Sequence, residues 1–274
     1  MKNLKKLFAV IVVVAMLATF MVPAFAAAPS DIEGRDCEDA VTRLVALGII
    51  TGRPDGTFAP DDTISRAEFA AVVVRALGYD TAAGAARGQT RFTDVTAEHW
   101  ASGYINLANS AGIVNGRPDG TFGPNDPVQF EEAITMIVRA LGYEPKAKAL
   151  GGYPNGYLSI AAEKDITKDV SAIAGMGATR GDVAVMIDAS LDVPMMVQST
   201  WGEFPEYEED EDKTLLSKLG VDEIKSDEDA GVDAIVTAVP NSDSSLDEDE
   251  IEIDGDVYTV IGTCRFRQPP GYWK

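Results

Sequence analysis

The heptapeptide Gly-Arg-Pro-Asp-Gly-Thr-Phe occurs twice, at residues 52–58 and 116–122, a spacing of 64 residues. Chance does not return a seven-residue word in this way, so the chain is built from copies of one unit and must fold as a repeat. A second word, Arg-Ala-Leu-Gly-Tyr, recurs at the same spacing, at 75–79 and 139–143. Each unit therefore has a fixed internal order: a turn, then a helix, then a glycine stop.

The first unit spans 31–80. Ala40, Val41, Leu44, Val45 and Leu47 recur at helical steps, and Gly48 ends that helix. Pro54-Asp55-Gly56 is a turn, because proline presets φ and glycine takes the positive-φ position; Phe58 can then fold back into the core. Ser65-Arg66-Ala67-Glu68 opens the second helix as a capping box, Phe69, Val72, Val73, Ala76 and Leu77 form its buried stripe, and Gly78 closes it. The second unit, 92–143, adds Phe92-Thr93-Asp94-Val95 and His99-Trp100 in front, and has Gln129-Phe130-Glu131-Glu132 where the box stands, so the box reads as lost. A third unit, 153–192, is shorter: Tyr157 to Ala162 echoes the first helix, and Thr179-Arg180-Gly181-Asp182 echoes the box. Its Pro-Asp-Gly turn is replaced by a small-residue loop at 171–177.

The order Phe-x-Asp-Val, His-Trp, Gly-Ile, Asp-Gly-Thr-Phe-x-Pro and Ser/Thr-Arg-Ala-Glu resembles the S-layer homology repeat, over 31–191. The resemblance implies a mainly α fold, three tandem repeats forming a pseudo-threefold helical pinwheel with short β-like hairpin loops. It also implies inter-repeat grooves that bind secondary cell-wall polysaccharide, often pyruvylated, or another peptidoglycan-linked polymer, and so hold an exported protein non-covalently on the bacterial wall. A self-assembling S-layer protein, or the anchor of an exoenzyme whose catalytic domain lies elsewhere, are the alternatives.

The candidate binding residues are Arg66, Arg180, Glu68, Asp182, Trp100, Gly52 and Gly116. Arg66 and Arg180 follow the cap, where a cation opposes the helix macrodipole; that calls for a local carboxylate or an anionic ligand. The helix N–H groups beside each arginine would themselves favour an anion. A salt bridge to the loop or to a neighbouring repeat competes with ligand contact for both arginines. Capping is favoured for Glu68 and Asp182. Trp100 opens a helix, a position more often in the core than stacked on a sugar. Gly52 and Gly116 serve backbone geometry first, and His99 a turn. Phe130, in place of an arginine, leaves one or two competent grooves rather than three. Asp55 and Asp119 lack the alternating acids of a calcium loop and read as turn residues.

Lys2, Lys5 and Lys6, an apolar run to Phe20, and Ala24-Phe25-Ala26 form a secretory signal peptide over 1–26. No later segment is apolar enough to span a bilayer, which places the mature protein outside the cell, at the wall or surface. The formal charge is −21, and losing the three lysines deepens it, so nucleic acid is excluded as a partner. Acidity is concentrated between Glu203 and Asp256, with 21 acids against three lysines, and 193–232 reads as an acidic linker. Residues 233–274 read as the start of a β-rich domain, with a strand at 234–239, a hairpin at 251–260, and a basic, proline-rich end that suggests a truncated or frame-shifted terminus. Cys37 and Cys264 lie in separate regions, so free thiols are as expected as a disulfide. No nucleophile elbow, metal spacing or phosphate loop is present, so neither a catalytic role nor a cofactor is expected.

Overall fold

The computed structural model describes residues 29–202 and 205–220, together with the strands β3 (Val236–Ala238), β4 (Glu250–Ile253) and β5 (Asp256–Thr259). The signal peptide, Cys264 and the basic end lie outside the described residues.

Each unit is a pair of helices joined by a loop. Unit one has α1 (Glu38–Ala46) and α2 (Arg66–Ala76), and short α3 (Asp80–Ala85) leads to unit two. Unit two has α4 (Ser102–Ser110) and α5 (Phe130–Ala140), followed by short α6 (Glu144–Ala149). Unit three has α7 (Asn155–Glu163) and α8 (Arg180–Ser190). The second helix of each unit packs on the first helix of the next: α2 on α4 and α5 on α7, while α8 returns to α1 and closes a ring.

Backbone hydrogen bonds show the threefold arrangement directly. Ile64 N–H donates to Ala178 O, Ala178 N–H to Val128 O, and Val128 N–H to Ile64 O, at 3.1, 2.9 and 3.0 Å. A second cycle links the helix starts: Arg66 N–H to Asp126 O, Phe130 N–H to Met176 O and Arg180 N–H to Asp62 O, at 2.9, 2.9 and 2.8 Å. The units are thus stitched by their otherwise orphaned helix N-termini.

The repeated heptapeptide forms the same tight turn twice. Arg53 N–H donates to Thr57 O at 2.7 Å and Arg117 N–H to Thr121 O at 2.8 Å. Gly56 and Gly120 both sit at φ +84, as the turn requires. Phe58 and Phe122 are buried anchors. Asp31 accepts the Phe58 and Ala59 N–H groups, and Asp94 those of Phe122 and Gly123, all at 2.7 Å. The acids of the front segment therefore hold the far end of each loop.

The capping box of unit two is only half lost. Glu132 still accepts the Gln129 N–H at 3.1 Å, because that half needs only the acid three residues on. The unit-three loop, which lacks the Pro-Asp-Gly turn, is held instead by Gly175 N–H donating to Glu131 at 2.9 Å.

The acidic linker expected over 193–232 is ordered in its first part. β1 (Met195–Gln198) pairs antiparallel with β2 (Tyr207–Asp210), and a one-turn helix, α9 (Leu215–Lys218), buries Leu215 and Leu216. Apolar residues at both ends of this segment, Val193 and Met195, then Leu215 and Leu216, reach the core, while Glu206, Glu208, Glu211 and Asp212 between them are exposed and Glu209 and Asp210 half-buried. In the tail, β3 pairs with β4 and β4 with β5, as the expected strand and hairpin; the Asp254-Gly255 turn lies outside the described residues.

Candidate functional site

Arg66 and Arg180 each reach across a unit boundary to the buried phenylalanine of the next heptapeptide loop. Arg66 Nε donates to Phe122 O at 2.9 Å, its guanidinium stands 5.0 Å from the centre of the Phe122 ring, and Nη1 is 3.0 Å from Glu132 Oε2. Arg180 Nε donates to Phe58 O at 2.7 Å, lies 4.7 Å over the Phe58 ring, and places Nη1 3.6 Å from Glu68 Oε1. Glu132 and Glu68 are therefore the local carboxylates that a cation in the first helical turn demands. At Arg180 burial lowers the guanidinium pKa and nearby Glu68 opposes the shift.

The helix N–H groups do not supply the anion seat expected of them. At α2 the Arg66, Ala67 and Glu68 N–H groups go to Asp126 O, Pro124 O and Ser65 Oγ. At α8 those of Arg180, Gly181 and Asp182 go to Asp62 O, Pro60 O and Thr179 Oγ1. These donors are spent on joining the units, which leaves side chains to define any ligand site.

Those side chains line two equivalent grooves. The first, of about 290 Å³, gathers Gly52, Arg53, Glu68 and Arg75 of unit one, Trp100 of unit two and Arg180 of unit three. The second, of about 240 Å³, gathers Gly116, Glu132 and Arg139 of unit two, Tyr153 of unit three and Arg66 of unit one. Each groove thus takes its loop and helix wall from one unit, an arginine from the preceding unit and an aromatic from the following one. Six of the seven candidate residues fall into these grooves. Asp182 does not: its carboxylate accepts the Thr179 hydroxyl at 2.7 Å and serves as the cap of α8. Glu68 caps α2 through Oε2, accepting the Ser65 N–H at 2.9 Å, and turns Oε1 to Arg180.

Trp100 is 50% exposed and is not a core residue. The buried position at the start of α4 is taken by Ala101, which turns the preceding indole outward into the groove. Tyr153, a departure from the Trp100 pattern in sequence, is 58% exposed and occupies the matching place in the second groove. His99 makes a turn contact, its Nδ1 accepting the Ala101 N–H at 3.2 Å. Gly116 has φ +73, and a Cβ there would stand 2.2 Å from the Phe92 ring, so packing alone demands glycine. A Cβ at Gly52 would lie 3.1 Å from Thr57 O, which is tight. The boundary carrying Phe130 presents a buried phenyl where the other two present a guanidinium.

Arg75 and Arg139 also line the grooves, and the only sequence signal for them is that each opens an Arg-Ala-Leu-Gly-Tyr word. Arg75 lies seven residues after Glu68, two turns along the same helix face. Its Nε donates to Asp80 at 2.9 Å and Nη2 to the Tyr104 hydroxyl at 3.0 Å. Arg139 mirrors it, with Nε to Glu144 and Nη1 to Ile113 O, both at 3.2 Å. The arrangement presents guanidinium edges able to pair an anion, an exposed aromatic face, and the carboxylates of Glu68 and Glu132. Among the described residues, no group of three or more His, Cys, Asp or Glu could hold a metal, and no helix is long and apolar enough to cross a membrane. Cys37 is a buried thiol near Gly181.

The S-layer homology domain model matches residues 30–70 and 91–134, the cores of units one and two. The middle cell wall protein of Brevibacillus brevis is 41% identical over 212 residues, 75% of this chain and 20% of that protein. The surface layer protein of Brevibacillus choshinensis is 41% identical over 165 residues, 60% of this chain and 14% of that protein. The cellulosome-anchoring protein of Acetivibrio thermocellus is 32% identical over 155 residues, 52% of this chain and 33% of that protein. The chain thus spans a third or less of the length of these relatives. The repeated words, the threefold stitching of the units and these matches agree: the chain belongs to the S-layer homology family of bacterial surface proteins.

Proposed function

We propose that the ring of three units, bounded at 31–80, 92–143 and 153–192, is a non-covalent wall anchor whose two grooves bind secondary cell-wall polysaccharide. The observation that carries the reading is the pair of equivalent grooves, each joining an arginine, an exposed aromatic and a glycine loop from three different units. Such a site exists only in the closed ring, so binding and assembly of the trio are one property. Excess acidity elsewhere on the chain makes these arginine-lined grooves the places where an anionic polymer is attracted rather than repelled. Acidic sugars, pyruvylated ones included, suit the guanidinium edges by bidentate geometry.

The role is one of attachment rather than catalysis, at the outer face of the wall. The names of the relatives, a cell wall protein, a surface layer protein and a cellulosome-anchoring protein, fit that role with different attached parts. A self-assembling surface layer is the second reading, favoured by the surface layer relative. The test is co-sedimentation of the mature chain with purified sacculi before and after extraction of the secondary polymer. Binding that disappears on extraction supports anchoring; equal binding to stripped and intact sacculi defeats it. Electron microscopy of the purified chain separates sheets from monomers.

A further inference from the structure

The segment after unit three touches all three units. On unit three, Leu216 N–H donates to Leu191 O at 3.1 Å, and Lys164 of α7 pairs with Glu209 at 2.7 Å. On unit two, Met196 N–H donates to Leu141 O at 2.9 Å and the Tyr143 hydroxyl to Pro194 O at 2.7 Å. On unit one, the Lys218 carbonyl lies so near Gly78 that a Cβ there would stand 2.6 Å from it. The same holds on unit two, where a Cβ on Gly142 would stand 2.2 Å from Met196 O. Gly78 and Gly142 are the glycines of the two Arg-Ala-Leu-Gly-Tyr words. Each ends its helix at positive φ, +76 and +85, and each also seats a crossing backbone. Val193, Met195, Leu215 and Leu216 supply the apolar side of the contact, all at most 9% exposed.

We propose that residues 193–219 are a strap that ties the ends of the three units together and spreads tension from the chain beyond Gly220 over the whole ring. Without it, a pull on the C-terminal side would act at Leu191 and peel α8 away from α1, the helix contact between the last unit and the first. With it, Lys218 lies beside Gly78 of unit one and the segment before it crosses unit two, so tension meets three sets of contacts first. The β1–β2 hairpin lets one short segment span that distance while Glu208 and Glu211 remain exposed. The load-bearing role rests on the anchoring reading; the docking of the strap does not.

Amide hydrogen exchange on the mature full-length chain tests the docking. The Met196 and Leu216 amides are expected to be protected at least about a hundredfold over unstructured rates. Exchange at unstructured rates overturns the strap. In a Leu215→Ala/Leu216→Ala variant that protection is expected to fall at least about tenfold, while the Ile64, Val128 and Ala178 amides stay protected and report an intact ring. Loading is tested by pulling the same two proteins by their ends in an optical trap. A lower force for separation of unit three in the variant is expected, and an unchanged force overturns load sharing. Failure to bind sacculi would refute anchoring while leaving both readouts in place.

Discussion

Replacing Arg180 by alanine separates a groove residue that also builds the ring from one that only meets ligand. The side chain is 11% exposed and lies 122 residues in sequence from its main partner, Phe58. Its removal leaves the Phe58 carbonyl without its 2.7 Å donor, a loss worth about 1–3 kcal/mol for a buried acceptor. The cation over the Phe58 ring adds about 1–2 kcal/mol where water is excluded. Against this, the contact to Glu68 is loose at 3.6 Å, and removing a largely buried cation recovers part of its desolvation. The net expectation is a loss of about 2–4 kcal/mol. For a body of this size that is a fall in melting temperature of about 5–15 °C, read by calorimetry on the mature chain without polymer. Arg180→Lys keeps the charge but cannot bond the carbonyl and cover the ring together, so it falls between. A melting temperature within about 2 °C of wild type for Arg180→Ala would refute the claim that this arginine closes the ring.

Asp94→Ala removes the acceptor of the Phe122 and Gly123 N–H groups and is expected to cost about 2–4 kcal/mol in urea titration, with Asp31→Ala doing the same for unit one. Gly103→Ala sits inside α4, where alanine is favoured by about 1 kcal/mol on propensity. Its Cβ would stand 1.9 Å from Ala83 O, so the variant is expected to melt lower than wild type despite its better propensity. Asp80 is held below the usual carboxylate range by the Tyr104 hydroxyl and then by Arg75. Its folded pKa lies below its unfolded one, so its contribution is present above pH about 4 and lost as pH falls through the depressed value. Asp80→Asn is expected to flatten the acid side of the stability curve; an unchanged acid limb counts against the Arg75–Asp80–Tyr104 cluster.

What could be read from the sequence was what local chemistry decides. The turn at 52–58, the Phe58 anchor, the Ser65–Glu68 box and the helix stops need only neighbours within a few residues, and each is in place. The carboxylate demanded by Arg66 was inferred as a type but not as Glu132, because that contact crosses a unit boundary. The same distance hid the use of the helix N–H groups, which an isolated helix would leave open. Trp100 is a candidate binding residue whose type more often lies in the core, and only the structure shows that Ala101 beside it takes the buried place. The strap was masked by composition: the acids of Tyr207–Asp210 and its neighbours dominate the segment, while docking depends on a few apolar residues at its two ends. Arg75 and Arg139 lie inside a repeated word, but the word alone does not show that they face a groove.

The central claim is that the inter-unit grooves hold the wall polymer. Trp100 and Tyr153 test it most directly, because both are half exposed and neither stitches units together through its backbone in the way the arginine positions do. The measurement is the sacculus-binding isotherm of a Trp100→Ala/Tyr153→Ala chain beside wild type, with melting temperatures recorded for both. The account predicts an affinity at least about tenfold lower at a melting temperature within about 2 °C. Undiminished binding by a folded double variant would contradict it.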